Sequence, residues 1–164
     1  MTFRLDADST AFIEAGRSIT VAAAGHSLRP SVAKAVGCVV EPTADELRLF
    51  VVGAKALGLL ADLEATWRVA AVFSQPSTHR TLQLKGRVLA IESPGAADIL
   101  AVQRQMEGFA ADLRLIGYPR EFPSTFLGFE RESLRAIRMS IEIGFHQTPG
   151  PGAGRPLPGS QAAA

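Results

Sequence analysis

The sequence predicts a mainly β, α+β fold: a six-stranded antiparallel barrel with flanking helices. Three observations carry that expectation. Six segments have strand patterning, and three in succession are joined by turns too short for a crossover, so these three must run antiparallel. The elements follow the order α–β–β–β–α–β–β–α–β, without the strict alternation of a doubly wound parallel sheet. A handful of strands with few helices leaves open edges, and closure into a barrel removes them.

Each element has its own warrant. A short first helix is predicted around Phe12 and Ile13, with Ser9 placed to cap it and Gly16 to end it. Ser18–Ala24 alternates Ile19, Val21 and Ala23, the period of a strand. Residues 25–30 form a turn, residues 31–41 a second strand and residues 42–45 another turn. Glu46–Val52 is a third strand, with Leu47, Leu49 and Val51 on one face. The period then changes: Ala56, Leu57, Leu59, Leu60 and Leu63 predict a helix over residues 54–65. Residues 67–74 are apolar on both faces and read as a central strand.

After a turn at residues 75–79, residues 80–92 form a long strand. Leu82, Leu84, Val88 and Ala90 share one side of it; Thr81, Gln83, Lys85 and Arg87 share the other. Gly86 in its middle predicts a bulge or bend. A long helix follows, capped at Ser93 with Pro94 next, stepping through Ile99, Val102, Met106, Phe109, Leu113 and Ile116 to Gly117. Residues 118–132 are irregular and aromatic, with Phe122, Phe126 and Phe129. Ile137, Met139, Ile141, Ile143 and Phe145 alternate as the sixth strand. The domain is read as residues 1–147. Residues 148–164 are a tail with four Pro and four Gly in 17 residues, which excludes a helix or central strand.

Composition narrows the function. With 164 residues and 47% hydrophobic content the chain can build a core of its own. Seventeen basic against sixteen acidic residues give +1, which argues against a nucleic-acid or membrane-surface protein. Cys38 is the single cysteine, so no internal disulfide or cysteine-rich zinc site forms. No apolar run is long enough to cross a membrane, and the N-terminus lacks the pattern of a signal peptide. A cytoplasmic location is therefore expected.

The common catalytic signatures are missing. There is no GxxxxGK, and no GxSxG elbow. Gly150, Gly152 and Gly154 alternate with prolines and precede no helix, unlike a dinucleotide-binding turn. His26, His79 and His146 lie too far apart to suggest a metal site. Cys38, within an apolar strand, reads as inert core.

Three polar features remain. Lys34 shares a strand face with Val32, Val36, Cys38 and Val40; its ammonium either snorkels to water or meets an anion. Lys55 stands at the junction of third strand and helix, after Gly53, either as an exposed first-turn lysine or, with the free backbone N–H groups there, as part of a phosphate cradle. Arg80, Thr81, Gln83 and Lys85 lie on the long strand; Thr81, Gln83 and Lys85 form a polar stripe on one side of it, either as a solvated face or as hydrogen-bonding groups for a polar-edged ring.

The order and spacing of these pieces over residues 17–91 resemble the flavin-binding split-barrel superfamily typified by pyridoxamine 5′-phosphate oxidase. The matching pieces are Arg29-Pro30 followed by Lys34, the strand from Leu47 ending at Lys55, Trp67 to Phe73, and Arg80-Thr81-Leu82-Gln83-Leu84-Lys85-Gly86. The chain ending from Gln147 to Gly154 looks like that of one uncharacterised branch.

The resemblance implies a six-stranded antiparallel split barrel, a homodimer, and FMN in clefts between subunits, serving a flavin-dependent oxidoreductase with a small-molecule substrate. It also implies cofactor-binding roles for Lys34 and Lys55 at the phosphate, for the Val51 and Val52 backbone beside the ring, and for Arg80, Thr81 or Gln83 on the long strand. F420 and haem are alternative ligands of such barrels, and a non-catalytic dimeric binding protein is an alternative use. Three departures stand out. Ala54 replaces the serine or threonine before the phosphate lysine, the arginine often beside that lysine is missing, and the oxidase's C-terminal arginine and tryptophan segment has no counterpart.

Overall fold

A computed structural model describes residues 3–121 and 129–159 of the chain. Six strands form one closed antiparallel barrel: β1 Ser18–Ala24, β2 Pro30–Val40, β3 Glu46–Val52, β4 Arg68–Ser74, β5 Thr81–Glu92 and β6 Leu134–His146. They close in the order β1-β2-β3-β6-β5-β4. The described helices are α1 Ala7–Glu14, α2 Leu57–Thr66 and α3 Ala96–Leu115.

The alternation of β1, β3 and β5 fills the barrel interior with Ile19, Val21, Leu47, Leu49, Leu82 and Leu84, all buried. Helices α1 and α2 close its two ends. Phe12 and Ile13 of α1, and Leu59 and Leu63 of α2, join that same apolar cluster. Near the β1–β2 turn the Thr66 hydroxyl of α2 donates to the Ala24 carbonyl at 3.0 Å. At the other end the Glu14 carboxylate of α1 accepts from the Val40 N–H at 2.8 Å. A second apolar layer forms where α3 lays Ile99, Val102, Phe109 and Leu113 on the outside of β2, β3 and β6, against Val36, Phe50, Val52 and Leu134.

The sheet departs from simple alternation at β2. Its pairing with β3 shifts between Ala35 and Gly37, a bulge that inserts an extra residue. Lys34 and Val36 therefore point outward while Cys38 joins the interior, so the expected single face holding Lys34, Val36 and Cys38 is split. Gln105 of α3 satisfies the bulged backbone: its Oε1 accepts from the Cys38 N–H at 2.9 Å and its amide donates to the Cys38 carbonyl. The bulge expected at Gly86 is present, with a register shift between Lys85 and Gly86. A Cβ at Gly86 would sit 1.8 Å from the Ser140 carbonyl oxygen, so the position admits only glycine.

Other boundaries move for local reasons. Asp6, rather than Ser9, caps α1 by accepting from the Ser9 N–H at 2.7 Å, a bond that lowers the Asp6 pKa. The helix expected over residues 54–65 is divided. Gly53–Lys55 form a single 3-10 turn and α2 starts at Leu57, so Lys55 lies ahead of the α-helix instead of in its first turn. Trp67 ends α2 with φ of 54° and precedes β4. Gly95 caps α3 because the Asp98 carboxylate reaches back to its N–H at 2.9 Å, two residues beyond the expected Ser93. Phe122 and Phe126 of the irregular segment lie outside the described residues.

The Pro/Gly tail folds back on its own β6. His146 N–H donates to the Arg155 carbonyl at 2.9 Å, Gly154 N–H to His146 at 2.7 Å, and Leu157 N–H to Gly144 at 2.8 Å. Leu157 is buried, and Gly144 leaves it the room.

Candidate cofactor-binding face

Barrel register, more than proximity in sequence, assembles the polar groups. Directly opposed residues on neighbouring strands project to the same side. On the outside of the barrel one row runs Lys34–Thr20–Val72–Gln83–Phe145 across β2, β1, β4, β5 and β6. Next to it, Ser18, Ser74 and Thr81 form a row of hydroxyls. No described helix crosses the outside of β1, β4 and β5; α3 covers the opposite side of the barrel. Lys34, Thr81 and Gln83 thus share one open face, with Lys34 and Gln83 three strand spacings, roughly 14 Å, apart.

Lys34 is the cation at the β2 side of this face. Its Nζ donates to the Ser18 hydroxyl at 3.0 Å and the Thr20 hydroxyl at 2.8 Å. Among the described residues no carboxylate lies within ion-pair distance of it. Partial desolvation lowers its pKa below the ordinary lysine value of 10.5. The side chain still reaches solvent, so an arriving anion has access. A desolvated ammonium flanked by two hydroxyls that can turn to donate is chemically suited to a phosphoryl oxygen.

Lys55 and Lys34 sit at the same end of the β2–β3 ladder. Ala35, next to Lys34, pairs with Val51, and Lys55 follows Val51 by four residues through the 3-10 turn. Lys55 is exposed. Val51 points into the barrel and Val52 out towards α3, both buried, so they offer a ligand backbone atoms at most. Their strand is paired on both sides, with β2 and with β6, which fixes that backbone.

The long-strand residues are held by their own chain. Arg80 donates to Asp8 and lies 4.2 Å from the Phe12 ring centroid, with Arg17 also over that ring at 4.5 Å. The Thr81 hydroxyl is 2.9 Å from that of Ser74, and the Thr81 N–H donates to Thr148 Oγ1 at 3.0 Å. Gln83 Oε1 accepts from Gln147 Nε2 at 3.3 Å. Gln147 and Thr148, at the root of the tail, therefore set the orientation of the groups on β5. The sequence marks Gln147 and Thr148 only as part of the chain ending and does not mark Ser18, Thr20 and Ser74 as site residues, because only the register brings all five beside Lys34, Thr81 and Gln83.

The chain matches no family model and no curated protein. Its fold has clear counterparts among solved structures. An F420 reductase superposes with a TM-score of 0.56 at 15% identity, over 85% of this chain and 98% of that one. HupZ of Group A Streptococcus gives 0.56 at 11% identity, over 92% and 99%. A candidate pyridoxamine 5′-phosphate oxidase from Lactobacillus delbrueckii gives 0.54 at 9% identity, over 87% and 93%. An FMN-binding protein from Syntrophomonas wolfei also aligns, at 0.51 and 14% identity over 80% and 78%. The chain has the split-barrel fold that these proteins share. At such identities the likeness establishes architecture alone.

Proposed function

We propose that this protein is a homodimeric split barrel that binds FMN and serves as a flavin-dependent oxidoreductase. The observation that carries the reading is Lys34: a partly desolvated ammonium with two hydroxyl neighbours and no described carboxylate. In this reading Lys34 and Lys55 hold the phosphate, with Ser18 and Thr20 completing its shell. The rigid Val51–Val52 backbone borders the ring. Thr81 and Gln83, about three strands away on the same face, address the ring of a cofactor bound mainly to the second copy, with Arg80 beside them. Two copies pair through the open face of β1, β4 and β5, which places both sets of groups in each cleft.

A bound flavin would supply hydride or electron transfer, while the protein binds, orients and desolvates. No general acid or base is assigned: His26, exposed on the β1–β2 turn, and His79, in a left-handed turn conformation, both lie on turns. Ala54 in place of a hydroxyl residue removes one ligand from the phosphate shell, and the hydroxyls of Ser18 and Thr20 are the compensating donors. The F420 reductase among the fold counterparts makes F420 the competing ligand, with haem a third.

The test is the absorbance spectrum of the purified protein, followed by thermal-shift titration with FMN, F420 and haemin in parallel. A flavin band, or stabilisation by FMN above the other two, is expected. Selective stabilisation by F420 or haemin replaces the cofactor assignment. No response to any of the three leaves the non-catalytic dimeric module as the reading.

A further inference from the structure

Polar groups continue along the chain past the end of β6. Gln147 follows that strand directly and is tied to β5 in three ways. Its N–H donates to the Thr81 carbonyl at 2.8 Å. The hydroxyl of the next residue, Thr148, accepts from the Thr81 N–H at 3.0 Å. Its own Nε2 donates to Gln83 Oε1 at 3.3 Å. Gln83 pairs with Phe145 across the β5–β6 ladder, and Gln147, two residues further on, projects to the same side. The tail beyond closes back, with the Gly154 N–H on the His146 carbonyl at 2.7 Å, so the position of Gln147 is fixed from both directions.

The two amides form a complementary unit. Their bond uses an N–H of Gln147 and the carbonyl of Gln83. It leaves Gln147 Oε1 as an acceptor and Gln83 Nε2 as a donor. Turning both amides over exchanges these roles and keeps one of each. Among the described residues neither side chain has another hydrogen-bond partner. Val72 and Phe145, both partly buried, flank Gln83 on the neighbouring strands and limit competition from water.

We propose that Gln83 and Gln147 jointly recognise a cyclic imide edge, a ring N–H beside a ring carbonyl. The imide N–H donates to Gln147 Oε1, and the carbonyl accepts from Gln83 Nε2. The inference rests on the cofactor reading above and adds Gln147 to it, because the isoalloxazine ring of FMN has such an edge. A deazaflavin ring has it too and haem does not, so the pair sets the class of ring that the cleft admits. The pair stands at the β5–β6 border of the open face, where that reading puts the ring between two copies, so it is compatible with their pairing.

The experiment compares FMN with 3-methyl-FMN, in which a methyl group replaces the imide hydrogen, by flavin-fluorescence titration. The parent is expected to prefer FMN by about tenfold or more. Gln147→Leu fills a similar volume without the acceptor; it weakens FMN by about tenfold and abolishes the preference. Gln147→Met gives the same result should the first variant fail to fold. Lys34→Gln weakens both ligands and leaves their ratio unchanged, because both have the phosphate. If the parent binds FMN and 3-methyl-FMN equally, or keeps its preference in the Gln147 variants, the imide assignment falls and the FMN reading stands. Loss of the preference in Lys34→Gln also overturns the assignment. If the parent binds neither flavin, the FMN reading falls and this inference with it.

Discussion

At the residue scale, the chemistry centres on how burial and charge meet at Lys34. Partial desolvation disfavours its charged form in the folded protein, so the ammonium lowers stability at neutral pH. That penalty is relieved as pH rises through the lowered folded value. Two outcomes follow. Lys34→Met leaves the thermal midpoint of the ligand-free protein unchanged or higher, while FMN affinity falls; scanning calorimetry and fluorescence titration check the pair. FMN affinity of the parent also falls with rising pH from below the ordinary lysine range, and Lys34→Arg shifts that fall upward, because guanidinium stays charged. Gly86 sets a different limit. Gly86→Ala places a methyl against a carbonyl held in the β5–β6 ladder, and a loss of roughly 3 kcal/mol or more is expected in denaturant unfolding.

Among the elements, α3 acts as a clamp through polar groups that it buries. Asp112 accepts from the Ser77 N–H at 3.0 Å, from the Ser77 hydroxyl and from Gln75 Nε2 at 3.0 Å, tying the β4–β5 turn to the helix. Burial pushes its pKa up, but these bonds outweigh that and hold it below the ordinary 3.8. Its stabilisation is complete above the ordinary value and is lost as pH falls through the lower folded one. Asp112→Ala costs about 1–3 kcal/mol at neutral pH, and its deficit relative to the parent shrinks in acid-unfolding curves.

How far the elements could be read from sequence follows from their physics. Ser18–Ala24 alternates cleanly and Glu46–Val52 does so in its first half before its apolar end, and the bounds of both are legible. The β2 bulge is not, because Val36, Val39 and Val40 suit either side of a strand and no period marks the slip. Gln105 and Asp112 are also opaque: their partners lie 67 and 35 residues away. Lys34 was visible as a charge among valines, whereas Ser18 and Thr20 needed the β1–β2 register to come beside it. The uncertainty between Thr81 and Gln83 has a structural basis, since both project from the same side of β5.

For the whole molecule, the asymmetry of the barrel is the main feature. One outer side is sealed by α3; the other presents Val32 at 66% exposure together with Ala22, Ala70 and Val72. Pairing of two copies there would bury that surface. Val72→Glu, at the middle of the open face, is expected to convert a dimer into a folded monomer in light scattering at micromolar concentration. It should also weaken FMN binding, since each cleft draws on both chains.

The most direct test of the central claim compares FMN with riboflavin, which differs only by the phosphate, in equilibrium fluorescence titrations of the parent and of a Lys34→Gln, Lys55→Gln double variant. The account predicts that the parent prefers FMN by about tenfold to a hundredfold and that the double variant loses the preference. Equal affinity of the parent for both compounds, or a preference that survives the loss of both lysines, would contradict it.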